Sequence, residues 1–100
     1  MSKVKHIVLL KFKEGTSEDQ IGKFFEDVLD LSESVPGIDD YVSGNNCSPE
    51  GKDQGMTHAF IMTFSDVAAR DAYIVHPEHE RFKTMALGVV ENVLVFDFEV

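Results

Sequence analysis

The chain has 100 residues, 43% of them hydrophobic and eight of them Phe, with a formal net charge of −9. That balance fits a single folded domain over residues 1–100 with a modest core, and excludes a disordered chain. It also excludes nucleic acid and anionic membrane surfaces as partners, because both call for clustered Lys and Arg.

Cys47 is the only cysteine, so no intrachain disulfide can form and a reducing compartment is expected. The apolar run from Ile7 to Leu10 is far shorter than a signal peptide core or a membrane span. The expected location is the cytoplasm.

Val4 to Lys13 alternates, which predicts a strand. Val4, His6, Val8, Leu10 and Phe12 share one face, and Ile7 and Leu9 make the second face partly apolar. Ser17 is placed as an N-cap, with Gln20 three residues on to complete a capping box. Ile21, Phe24, Phe25, Val28, Leu31 and Val35 then follow helical spacing until Pro36-Gly37 ends the helix. Ile38 to Asn46 reads as a short, polar edge strand, and Asn45 to Met56 as a long loop.

Thr57 to Phe64 is the strongest strand by pattern, with His58, Phe60, Met62 and Phe64 on one face. Ser65 is expected to cap a helix running from Asp66 to about Val75. A third helix should run from Pro77 to about Leu87, with Phe82 and Met85 inward, and a last strand from Val90 to Val100. The order β-α-β-β-α-α-β predicts an α+β, ferredoxin-like domain: a four-stranded antiparallel sheet with helices on one face. Three strands are apolar on both faces, and helices can cover only one. Two sheets pairing face to face in a homodimeric α+β barrel would bury the other.

The stretch from Asp71 to Phe82 carries the chemistry. Tyr73, His76 and His79 fall within seven residues, and Pro77 breaks the run so that one helix ends and the next begins. His79 then sits in the first turn of the new helix, where the dipole disfavours imidazolium while Glu78 and Glu80 favour it. A neutral His79 could act as a general base, and Tyr73 could hold a carbonyl or enolate oxygen. The same stretch also reads as a plain helix–helix corner with solvated or capping histidines. No phosphate-binding glycine loop, nucleophile elbow, Cys pair or HExxH appears, so neither a metal nor a cofactor is expected.

Taken together, Val4-Lys5-His6-Ile7-Val8, Val35-Pro36-Gly37, Thr57-His58, Asp71-x-Tyr73-x-x-His76-Pro77-x-His79 and Leu94-Val95-Phe96-Asp97 resemble the stress-responsive A/B barrel domain (Dabb) family. The resemblance covers nearly the whole chain. It implies a tight homodimer around a central barrel and a small apolar or carbonyl ligand in or beside it. One branch of the family closes polyketides by aldol condensation with a Tyr and a His, which fall on Tyr73 and His79 here. His6, Phe25, His58 and His76 are the implied ligand contacts. Met56 departs from the family, which usually has Tyr before Thr-His, and Val28 departs from that branch, which has a pocket Tyr there. A protective, ligand-free structural role is the remaining alternative.

Overall fold

The computed structural model describes residues 2–100. Its elements are β1 (Val4–Phe12), α1 (Glu18–Ser34), β2 (Ile38–Asn45), β3 (His58–Phe64), α2 (Val67–Ile74), α3 (Pro77–Ala86) and β4 (Val90–Glu99). The four strands form one antiparallel sheet in the order β2-β3-β1-β4, the ferredoxin-like arrangement expected from the sequence.

Alternation in β1 becomes two faces. Val4, His6, Val8, Leu10 and Phe12 are buried on the helix-covered side. Register carries that face across the sheet, with His6 opposite Met62 on β3 and opposite Asp97 on β4. Ser17 and Gln20 make the expected capping box, each side chain accepting from the other residue's backbone N–H. The helix they start buries Phe24, Val28 and Leu31 against the sheet. Each such side chain contributes about 1.5–3 kcal/mol over its exposed state.

The chain leaves α1 through Val35 and Pro36 to Gly37, whose φ of +89° suits glycine. A Cβ there would also lie 2.6 Å from the Ala69 Cβ, so α2 packs on the bare backbone.

The second helix departs from expectation at its cap. Asp66, not Ser65, is the N-cap, accepting from the Ala69 N–H. The Ser65 hydroxyl is turned toward β2 instead, donating to Asp39 at 2.8 Å. On α3, Phe82 packs on Phe24 as expected, with ring centroids 5.2 Å apart. Met85, expected inward, is exposed along a groove between α1 and α3.

The opposite face of the sheet has no helix. Ile7, Leu9, Ala59 and Ile61 occupy its centre, flanked by exposed Val42, Leu94, Phe96 and Phe98. No helix among the described residues is long and apolar enough to cross a membrane.

Candidate functional site

On the helix-covered side, a cavity of about 760 Å³ lies between the sheet and the helices α2 and α3. Its wall is mostly apolar, built by Val8, Leu10, Phe24, Phe60 and Phe82. Four polar groups converge at one part of it: His6 from β1, Asp97 from β4, Tyr73 from α2 and His79 from α3. Val93 and Val95 also line it and are exposed at the β4 edge, so the cavity opens there.

The break at Pro77 creates this convergence. His76 has extended backbone and caps α3, its Nδ1 accepting from the Glu78 N–H at 3.1 Å. The chain thereby turns sharply, and Tyr73 from the end of α2 meets His79 from the first turn of α3. Their rings stack with centroids 4.2 Å apart and planes at 28°.

Tyr73 is 1% exposed and lines this cavity, and no other described residue hydrogen-bonds its hydroxyl. Its lining position lets the hydroxyl meet a ligand in the cavity. Burial pushes the phenol well above its ordinary value of 10, so Tyr73 stays a protonated donor.

His79 has the complementary character. Its Nδ1 lies 3.0 Å from the Ile74 carbonyl oxygen, which can only accept, so Nδ1 carries a proton. Burial holds this imidazole below its ordinary value of 6.5, against the opposing pull of the Ile74 carbonyl. At neutral pH, His79 is therefore an uncharged ring with a lone pair on Nε2.

His6 is 7% exposed and packs edge-on to Tyr73, with centroids 5.7 Å apart. Its Nδ1 lies 2.7 Å from an oxygen of Asp97, and the other Asp97 oxygen accepts from Arg70 at 2.7 Å.

Of the residues singled out from sequence, Tyr73, His79 and His6 share this cavity. Phe25 and His58 lie outside it and pack on each other, with centroids 5.5 Å apart. His58 holds Thr57 Oγ1 at 2.8 Å and lines a smaller depression of about 250 Å³. His76 also lies outside and is used as a cap. Asp97 and Arg70 were not singled out. A readable signal existed for Asp97, which interrupts the apolar face that Val93 and Val95 begin.

The sheet order, the one-sided helices and the cavity beneath α2 and α3 define an α+β protein of the ferredoxin-like class. Within that class, the chain belongs to the stress responsive A/B barrel domain family, whose model matches residues 4–100. It is 34% identical over 95 residues to olivetolic acid cyclase of Cannabis sativa, covering 95% of this chain and 94% of that protein. Among solved structures it resembles a dimeric ferredoxin-like protein of unknown function from Jannaschia sp. CCS1. The two are 32% identical with a TM-score of 0.84, over 98% of this chain and 99% of that one. It also resembles a hydroxynitrile lyase from Passiflora edulis, 26% identical with a TM-score of 0.91, over 98% of this chain and 93% of the other.

Proposed function

We propose that this protein is a cytoplasmic homodimer that binds a small, largely apolar carbonyl compound in the cavity beneath α2 and α3. The place of Tyr73 in the cavity wall carries this reading, because a phenol donor with no protein partner beside an apolar cavity is suited to one carbonyl oxygen. The dimer reading draws on the helix-free sheet face and on the dimeric Jannaschia protein. Two such faces packed together would place the cavities outside the central barrel, one per subunit. Calorimetry with acetophenone tests the ligand: the parent should bind it, and Tyr73→Phe should bind it several-fold more weakly. Equal affinity in both would remove Tyr73 from the binding account.

A second reading is favoured by the stacked Tyr73–His79 pair. Tyr73 would hold a carbonyl oxygen while the Nε2 lone pair of His79 takes a proton from the adjacent carbon, the step that begins an aldol closure. The likeness to olivetolic acid cyclase supports it. A cyclisation assay on polyketide-like substrates separates the two readings: turnover that disappears in His79→Ala supports catalysis, and binding without turnover supports the first reading.

A further inference from the structure

One carboxylate joins three elements beside the cavity. Asp97 stands opposite His6 in the β1–β4 register, and both project to the helix-covered side. One Asp97 oxygen holds His6 Nδ1 at 2.7 Å. The other holds Arg70 Nη1 from α2, also at 2.7 Å. Arg70 is itself tied down, its Nε donating to Asp71 at 2.9 Å.

We propose, building on the ligand-cavity reading, that Arg70 is a positioning residue that acts through Asp97 to fix which nitrogen of His6 carries the proton. A carboxylate can only accept, so its contact at Nδ1 places the proton there. Nε2 is then left with a lone pair, since the hydrogen bond of this ring to another described residue is made by Nδ1. The ring of His6 lines the cavity with Tyr73 beside it. The orientation of Asp97 therefore decides whether the cavity wall offers an acceptor or a donor at this point.

A carboxylate held only by His6 can turn about its last torsion, which is broad and twofold. The Arg70 Nη1 hydrogen bond to the second oxygen restrains that turn, with Asp71 holding the guanidinium in place. The guanidinium also supplies a positive charge that offsets Asp97, so the carboxylate does not leave the cavity with an unbalanced negative potential. His6 and His79 then present matching edges: each has Nδ1–H bound to an oxygen of the protein and Nε2 unpaired. A ligand with a hydroxyl donor next to its carbonyl acceptor would satisfy Nε2 of His6 and the Tyr73 hydroxyl together.

The test is a long-range ¹H–¹⁵N spectrum of the ligand-free, ¹⁵N-histidine-labelled protein, at a mildly alkaline pH where imidazoles are neutral. The His6 signals are assigned by their loss in His6→Gln. The parent should show one His6 tautomer with the proton on Nδ1. In Arg70→Met, the two His6 ring nitrogens should move toward averaged positions, while the His79 pattern stays put. Arg70→Lys, which keeps the charge without separate nitrogens for Asp97 and Asp71, should fall between the two. If Arg70→Met does not fold, the Arg70→Lys shift relative to the parent decides the matter alone. An unchanged His6 pattern in the folded Arg70 variants, or a parent with the proton on Nε2, would overturn the proposal and leave Arg70 as a tie between α2 and β4. Because no ligand is present, this result is separate from the acetophenone measurement.

Discussion

Tyr73 and His79 belong to different helices, yet their rings stack 4.2 Å apart across the break that Pro77 imposes. A protonated phenol and an uncharged imidazole thus share one wall of an apolar cavity. Tyr73→Phe keeps the stack and removes only the unpartnered hydroxyl. Thermal melts should show stability within about 1 kcal/mol of the parent, because the hydroxyl makes no hydrogen bond for the change to remove. Under the enzymatic reading, Tyr73→Phe and His79→Ala should each lower the rate by about 10²–10⁴-fold. A marked loss of stability in Tyr73→Phe would mean that the hydroxyl has a partner after all.

The depressed basicity of His79 gives a signed pH dependence. Burial makes the folded chain take up this proton less readily than the unfolded chain, whose imidazole titrates near 6.5. Stability is therefore unaffected by this group well above 6.5 and falls as the pH drops through 6.5 toward the lower folded value. Urea titrations across this window should show that His79→Gln loses less stability on acidification than the parent does. Parallel curves for the two proteins would contradict the burial of His79.

Phe96 is 61% exposed on the helix-free face, where the proposed pairing would bury it. Light scattering at micromolar concentration should give about twice the 11.2 kDa chain mass for the parent. Phe96→Ala should weaken the folded dimer by about 3–5 kcal/mol, the range for truncating a buried aromatic. The loss should depend on protein concentration. A stable monomeric parent would remove the pairing account, and a concentration-independent variant would move Phe96 out of the interface.

Gly37 lies against Ala69 of α2. Gly37→Ala should cost about 1–3 kcal/mol for the left-handed backbone alone. The added methyl would also press on Ala69, whose Cβ lies 2.6 Å from the new position. Chemical denaturation should therefore show a loss at the upper end of that range. A neutral substitution would mean that α2 can shift freely over the sheet.

Much of this was legible in the sequence because local rules act alone there. Period-two alternation set the faces of β1 and β3, Ser17 and Gln20 announced the start of α1, and Pro77 announced the break that brings Tyr73 to His79. Ser65 and Asp66 were both acceptable caps, and the choice was made by Asp39 on β2, a contact no local rule contains. Phe25 and His58 looked like site residues by type, but the 3.6-residue period of α1 turns Phe24 toward the cavity and Phe25 toward His58. Asp97 and Arg70 were not read as site residues because Asp97 lies ninety-one residues from His6 and meets it only through strand register, and Arg70 reaches Asp97 from α2.

The central claim is that the cavity beneath α2 and α3 receives a carbonyl compound. A crystal structure of the protein soaked in acetophenone tests it most directly. The account predicts the ring among Leu10, Phe24, Phe60 and Phe82, with its oxygen about 2.7–2.8 Å from the Tyr73 hydroxyl, the usual spacing for an O–H donor. A cavity closed by its own side chains, or acetophenone bound only elsewhere on the subunit, would contradict it.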